Sequence, residues 1–341
     1  MNNDFFYKDI EKRANDMFNN WYSTWAGIKD KHFEMSIKQE ESAFGGRSYV
    51  ENGVLKMVIF TGTVDNYLSV INNVMNLRTS LSINSIHQGD DNLIDLISAE
   101  GIIYPNGVPE VFDSKVIDQH ITNLIMTFVN RFVICHEFGH LFSGHYEQFK
   151  MIKMRFIPMH MTGDEWSIVP DEKKLDVFTM EWDADRFAAT DSVRELLFLW
   201  ENYDTQVQYR NLIGKNELFF WWGFAVALIF HWINEMDCYK MYKQEILYNP
   251  RDRMMNILST ALDCLDKLFG KNIPELPIKE MSANIAKGAL NAEEIFSVFR
   301  NGESVWIKEQ IDMTNSSLPM IENNWERLKE ILKKDAFIDL D

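Results

Sequence analysis

Two different hydrophobic periods follow one another in the N-terminal region. Over residues 4–30, apolar side chains recur every three or four positions, with Trp21 among them and polar residues between them. This spacing predicts an amphipathic helix that packs on a core. Over residues 47–60, apolar and β-branched residues flank Asn52-Gly53, a dipeptide that favours a two-residue hairpin turn. The pattern therefore predicts a helix followed by a β-hairpin.

The chain beyond this hairpin carries a candidate boundary. Helical spacing resumes after Thr63, whereas residues 82–92 are polar and rich in turn-forming residues. Residues 102–113 contain two prolines and a Pro-Asn-Gly turn, and they predict an extended segment that could supply an edge strand. We therefore divide the chain into an N-terminal α/β region of unknown role, residues 1–100, and a second region, residues 101–341, which could also form one integrated domain.

Two long helices are predicted in the middle of the chain. Helical spacing extends from residue 113 or 114 to about residue 142, with Gly139 and Gly144 at its end. Residues 154–174 predict an irregular loop, and a second helix begins near Leu175. From residue 250 onward the chain is mostly helical and polar in pattern.

Composition narrows the class of protein. Of the 341 residues, 46% are apolar and 13% aromatic, which allows a sizeable core and disfavours disorder. Thirty-four basic against 51 acidic residues give a net charge of −17 without a dense basic stripe, so nucleic-acid binding is disfavoured. Three widely spaced cysteines form no readable disulfide framework, and the N-terminus lacks the pattern of a secretory signal. We expect a cytoplasmic protein.

Residues 218–233 raise the alternative of a membrane segment. They form an apolar run of 16 residues that His231 alone interrupts with a polar ring. A helix of this length spans roughly 24 Å, whereas the hydrocarbon core of a bilayer is about 30 Å thick. Glu217 precedes the run, and Asn234 and Glu235 follow it, with no basic anchor close on the C-terminal side. We predict a buried core helix, with membrane insertion as the less favoured alternative.

The motif HEFGH, residues 136–140, indicates a metal site on the first long helix. Residues four apart project within about 40° of each other, so His136 and His140 can bind one ion from the same face. Glu137 points about 100° away, where it could reach a water held by that ion. Zn²⁺ in such a site lowers the pKa of the water towards 7, and Glu137 would act as general base. Histidines on a surface helix without metal are the alternative.

A third ligand is expected from EWDAD on the second helix. Glu181 and Asp185 lie four apart and share a face, so Glu181 could complete the ligand set. Asp185 could then accept the ring proton of a ligating histidine and fix its tautomer. Asp183 is a competing ligand about 200° round the helix, and an acidic solvated turn is the alternative without metal. Two imidazoles and a carboxylate suit Zn²⁺, although Mn²⁺, Co²⁺ or Fe²⁺ could occupy the same site.

Two further histidines are weaker candidates for residues of the metal site. His145 follows His140 by five positions, one fewer than the pattern HExxHxxGxxH requires, so we expect it to be structural or to contact substrate. His231 lies in the apolar run, where a core histidine is the usual finding, and a role near the transition state is its alternative.

The pair of motifs HEFGHLFSGH and EWDADRFAAT resembles the HExxH…ExxxD pattern of gluzincin-type metallopeptidases. The similarity is closest to the ImmA/IrrE-like and M48-like groups and looser to phage-exclusion peptidases of the Lit type. It implies a zincin-like core with Glu181 as third zinc ligand and Asp185 beside it. A segment near residue 250 resembles the Pro-x-x-Arg stretch of M48-like proteins, which implies Arg253 as a candidate transition-state donor. The resemblance covers residues 114–190 and extends weakly to about 260.

These observations together predict a fold and a function. The expected fold is a mostly helical α+β domain with a small sheet beside the HExxH helix and the substrate added as a strand between them. The expected function is a zinc-dependent endopeptidase that hydrolyses a protein or peptide substrate. The alternatives are a regulatory or phage-defence protein that uses this scaffold for binding or sensing, and a membrane-embedded M48-like peptidase.

Overall fold

A computed structural model describes residues 4–39, 46–88, 114–151, 171–205, 213–235, 249–270, 277–299 and 318–340. Helices account for most of these residues, and a small mixed sheet accounts for the strands. The predicted mostly helical α+β class is therefore confirmed. The extended segment predicted at 102–113 lies outside the described residues, and so does most of the loop predicted at 154–174. The division at residue 100 stays a prediction.

The helices are α1 (Asp4–Met17), α2 (Ser23–Trp25), α3 (Thr61–Gln88), α4 (Ser114–Phe142), α5 (His145–Met151), α6 (Asp171–Glu201), α7 (Glu217–Glu235), α8 (Pro250–Asp263), α9 (Ile278–Phe299) and α10 (Leu318–Leu332). The strands are β1 (Phe33–Lys38), β2 (Gly46–Glu51) and β3 (Val54–Phe60). Two π-helical segments, Phe18–Tyr22 and Cys264–Gly270, extend α1 and α8, and a 3₁₀ turn, Tyr203–Thr205, follows α6.

Three predicted boundaries are wrong by a few residues. The helical residues of the first predicted helix end at Trp25 and not at residue 30. Helix α3 extends to Gln88 and so includes residues 82–88, which we expected to be turn-rich. Helix α6 begins at Asp171, directly after Pro170, and not near Leu175. An acidic residue is favourable at a helix N-terminus, where it meets the positive end of the helix dipole. By contrast, α4 begins and ends where the sequence predicts.

The π-helical turn Phe18–Tyr22 changes which aromatic side chain of the first helix faces the core. Its hydrogen bonds span five residues where an α-helix spans four, so the buried face shifts by one position. Tyr22 is therefore buried, with its ring 4.7 Å from that of Phe138, whereas Trp21 is 64% exposed. The prediction that Trp21 packs on the core is wrong for this reason.

The sheet has the strand order β1-β3-β2. Strands β2 and β3 form the predicted antiparallel hairpin, and Asn52 (φ 53°) and Gly53 (φ 80°) occupy the left-handed conformations that a type I′ turn requires. Strand β1 pairs in parallel with β3 and was not predicted, although its apolar and polar residues alternate. Helix α1 packs on β1, where Glu11 accepts a hydrogen bond from the backbone N–H of Ile37. Strand β2 forms the opposite edge and packs against α4 and α5.

Helices α4 and α6 lie side by side, and small residues let them approach closely. A Cβ atom added at Gly139 would lie 2.9 Å from Cα of Ala184 and 3.2 Å from Cβ of Phe187. Ala184, Ala188 and Ala189 are fully buried, in agreement with the close approach that their size predicts. The spacing between these two helices sets the distance between the two sequence motifs.

We expect Gly139→Ala to destabilise the protein. In an open helix this substitution stabilises by about 1 kcal/mol, but here the added methyl group meets backbone, and overpacking costs about 1–3 kcal/mol. The matched control is Gly214→Ala, where a Cβ would meet only side-chain atoms of Glu217, at 3.5 Å or more. Urea unfolding of both variants checks this prediction, and a Gly139→Ala variant as stable as the control would contradict it.

Helix α7 is long and apolar enough to cross a membrane by length and composition. The 18-residue window from Glu217 to Asn234 is, however, 83% buried within the protein. Much of that burial comes from α9, which packs along it, and further contacts come from α4 and α8. The core helix of a soluble protein has the same properties, so α7 is weak evidence for a membrane span, and the structure is compatible with a soluble protein.

Candidate metal centre

Three buried side chains from α4 and α6 converge on one point. The Nε2 atoms of His136 and His140 lie 3.1 Å apart. The carboxylate of Glu181 approaches both rings, with Oε2 3.5 Å from His136 Nε2 and Oε1 3.3 Å from His140 Nε2. The three side chains are at most 5% exposed. Among the described residues, they form the group of histidine and carboxylate side chains that could hold a metal ion.

The donor atoms of this group fit a tetrahedral metal ion. Bonds of about 2.0–2.1 Å at tetrahedral angles place two ligand atoms about 3.3 Å apart, close to the distances between these donors. Neither carboxylate oxygen of Glu181 makes a hydrogen bond within the described residues. Burial of this carboxylate is costly unless cations compensate its charge; the guanidinium of Arg253, 3.1 Å from Oε2, does so in part, and a metal ion between the three side chains would do so at both oxygens. The group could therefore hold a metal ion, whose identity the geometry alone does not select.

Two further buried residues, Asp185 and Arg253, contact two of the three converging side chains. Asp185 Oδ1 lies 3.0 Å from His136 Nδ1, the ring nitrogen that faces away from the other donors. Arg253, from α8, donates two hydrogen bonds to Asp185, at 2.9 and 2.8 Å, and its third nitrogen lies 3.1 Å from Glu181 Oε2. Asp185 thus has the position predicted for it. Arg253 joins the two carboxylates, and its contact with a transition state stays a prediction.

The charges in this cluster shift the protonation of its members. Burial alone would lower the pKa of His136, but the carboxylates of Asp185 and Glu181 raise it to about 9. Burial lowers the pKa of His140 despite the attraction of Glu181. Burial would raise the pKa of Glu181, yet Arg253 and then the two imidazoles hold it well below its ordinary value. The two carboxylates thus favour a proton on His136 in the metal-free protein, and a metal ion would compete with that proton.

Glu137 lies between α4 and the edge of the sheet. The hydroxyl of Ser48 on β2 donates a hydrogen bond of 2.9 Å to Glu137 Oε2. A Cβ atom at Gly46 would lie 2.8 Å from Glu137 Oε1 and 2.8 Å from the backbone carbonyl oxygen of Val58, so a larger residue there would force this carboxylate or the strand to shift. Burial raises the pKa of Glu137 to about 7, although the charge of His136 and the hydrogen bond from Ser48 oppose this. Glu137 can therefore both accept and release a proton near neutral pH.

His145 contacts His140 at Nδ1, the ring nitrogen of His140 that is not one of the converging donor atoms. Its Nδ1 atom is 2.9 Å from Nδ1 of His140, and its ring is fully buried. Its Nε2 atom lies 3.4 Å from Oδ2 of Asp183, which also accepts a hydrogen bond of 2.7 Å from Ser143. The structure thus places His145 and Asp183 next to the metal group but outside the set of atoms that converge on its centre. Asp183, the competing ligand, takes no part in that set.

The structure does not bring His231 to the metal group. Its buried ring stacks on Phe296 of α9, with ring centroids 5.4 Å apart. The preceding residue, Phe230, turns towards the site, where its ring lies under the guanidinium of Arg253 and 6.1 Å from Phe132. A role for His231 in contact with substrate stays a prediction.

Sequence reasoning missed Ser48 and Gly46, the two residues of β2 that contact Glu137. Ser48 lies in the hairpin that the sequence predicts over residues 47–60, whereas Gly46 directly precedes the predicted range and is the first residue of β2. The sequence does not show which strand of the sheet packs against α4. Ser48 and Glu137 are 89 positions apart, so no local pattern connects them. A glycine with a serine two positions later, at the start of a strand, carries no signal that distinguishes it from many others.

No family model, no curated protein and no solved structure matches this chain. The resemblance to gluzincin-type metallopeptidases therefore depends on the two motifs and on the metal group that they form.

Proposed function

We propose that this protein is a zinc-dependent endopeptidase with a zincin-like core. The observation that carries the proposal is the convergence of His136, His140 and Glu181 in a buried group, with Glu137 on the same helix at the edge of the sheet. A buried set of three metal ligands could equally belong to a site that only binds a partner or stabilises the fold. An adjacent buried glutamate that is not one of the converging ligands, and whose pKa burial raises, is the feature that favours hydrolysis.

Zinc is the proposed metal because two imidazoles and one carboxylate are a ligand set of catalytic zinc sites. His136 and His140 would hold it through Nε2 and Glu181 through its carboxylate, while Asp185 keeps the ring of His136 oriented. When bound, zinc supplies Lewis acidity and lowers the pKa of water towards neutrality.

Glu137 is the proposed general base. A general base works best when its pKa lies near the working pH. In the metal-free protein burial raises the pKa of Glu137 to about 7, and a cation bound beside it would lower the pKa from there. Glu137 would take a proton from the attacking water and return it to the leaving amine. The hydrogen bond from Ser48 holds the carboxylate in one orientation for both transfers.

The free edge of β2 is the proposed binding surface for an extended peptide segment. Since Glu51 and Val54 flank a two-residue turn, the alternation of an antiparallel ladder directs the backbone N–H and C=O groups of Gly46, Ser48 and Val50 away from β3. Within the described ranges no strand pairs with that edge. A substrate that adds to β2 as a strand would pass the residue that holds Glu137, which favours a protein or peptide as substrate.

Cleavage of an unfolded protein tests this proposal. Zinc-loaded wild-type protein and a zinc-loaded Glu137→Gln variant are incubated with it, and new N-termini are identified by mass spectrometry. The proposal requires that the wild type alone generates them. A cytoplasmic location belongs to the same proposal, and a mostly buried α7 is in keeping with it.

A further inference from the structure

The two histidines of the metal group are oriented by different chemistry. Behind His136 lies a carboxylate, the common partner of a ligating imidazole. Behind His140 lies a second imidazole, that of His145, at 2.9 Å between the two Nδ1 atoms. An imidazole can donate or accept at this nitrogen, so the pair has two proton arrangements where a carboxylate would allow one.

Only one of these arrangements is compatible with a metal ion. The Nε2 atom of His140 must offer its lone pair, so the ring proton must be on Nδ1. That proton points at Nδ1 of His145, which must then be the acceptor and must carry its own proton on Nε2. The Nε2 atom of His145 makes no hydrogen bond within the described residues, but it lies 3.4 Å from Oδ2 of Asp183, an ion-pair distance at which an ionised carboxylate, an obligate acceptor, attracts a proton on Nε2.

The loop that carries His145 is fixed by contacts remote from the metal group. Gly144 joins α4 to α5 with φ 76°, and a Cβ atom there would lie 2.7 Å from the backbone of Asp335. The backbone N–H of Phe337 donates a hydrogen bond of 2.7 Å to the carbonyl of Phe142, the last residue of α4. Residues 335–337 thus hold the junction between the two helices, and with it the position of the His145 ring.

We propose that His145 and Asp183 are positioning residues that fix the metal-binding tautomer of His140. This inference rests on the proposed metal site and assigns to it two residues outside the ligand set. Asp183 keeps the proton of His145 on Nε2, and His145 in turn keeps the proton of His140 on Nδ1. Without this chain the opposite arrangement, with the His140 proton on Nε2, competes with the metal.

Two substitutions at His145 separate this role from packing. Phenylalanine fills the space of the ring but accepts no hydrogen bond, and we expect His145→Phe to weaken zinc binding about 10–100-fold. Glutamine retains an acceptor for His140 and a donor for Asp183, so His145→Gln keeps the affinity within a few-fold of the wild type. Zinc affinity is measured by competition with a chromophoric chelator. The matched controls are His120→Phe and His120→Gln; His120 lies on α4, about five helical turns before His140, and its substitution should leave the zinc affinity unchanged.

The tautomer itself provides a readout that needs neither zinc nor peptide cleavage. Nitrogen-15 spectra of metal-free wild-type protein should show His140 protonated at Nδ1 and not at Nε2.

The side chain of Asp183 is 18% exposed, so Asp183→Ala is a tolerable second variant, and it should weaken zinc binding in the same direction as His145→Phe. A His140 proton on Nε2 would overturn the inference. So would equal zinc affinities of the two His145 variants, or an Asp183→Ala variant that binds zinc like the wild type.

Discussion

Zinc-loaded Glu137→Gln should lose peptide cleavage by about 10²–10⁴-fold, the contribution typical of a general base. Glutamine has the shape of glutamate and can still accept the hydrogen bond from Ser48, but it cannot take a proton from water. Glu137 is not one of the three converging ligands, so the variant should still bind zinc. Turnover of an unfolded protein and zinc content are measured on the same preparation.

The same substitution at Glu147 is the matched control. Glu147 lies on α5, where it pairs with Lys150 at the surface, so Glu147→Gln should leave cleavage and zinc content unchanged. Cleavage by Glu137→Gln at the wild-type rate would contradict the assignment of the base. A protein that acts by binding or sensing would keep its effect in this variant, so the experiment also separates that alternative from a peptidase.

Arg253→Met should destabilise the metal-free protein by about 3–5 kcal/mol, the usual cost of removing one partner from a buried ion pair. The substitution leaves the carboxylates of Asp185 and Glu181 buried without the guanidinium that joins them. Zinc should recover part of this loss, because a cation beside Glu181 replaces some of the missing positive charge. The free energy of unfolding is measured with and without zinc.

Arg13→Met is the matched control for a surface pair. Arg13 lies one helical turn from Asp9 in α1, and both side chains are substantially exposed, so its removal should cost no more than about 0.5 kcal/mol. An Arg253→Met variant that unfolds as the control does, or that gains no more stability from zinc than the wild type, would show that Arg253 does not hold the two carboxylates.

The helices that carry the metal group could be predicted because their signals are local. The apolar spacing that defines α4 is contained in 29 successive residues, and the four-residue spacing of His136 and His140 fixes their common face. The fit of Glu181 required one more step, the close approach of α4 and α6. Small residues in α6 indicated it, and Gly139 provides it.

Other parts of the site depend on contacts that no local pattern encodes. Ser48 meets Glu137 only because the hairpin packs against α4, and Asp183 meets His145 only because α5 turns back at Gly144. Trp21 shows the same limit within one helix, because a single π-helical turn moves it from the core to the surface. Periodicity predicts elements, whereas these contacts are set by how the elements pack.

Zinc stoichiometry tests the central claim most directly. The wild-type protein, stripped with a chelator and then incubated with zinc and desalted, should retain one zinc ion per chain by elemental analysis. The same treatment of Glu181→Ala should leave far less, because one of three ligands is missing. A wild-type chain that retains no zinc, or a Glu181→Ala variant that retains as much as the wild type, would contradict the metal centre on which the proposed function depends.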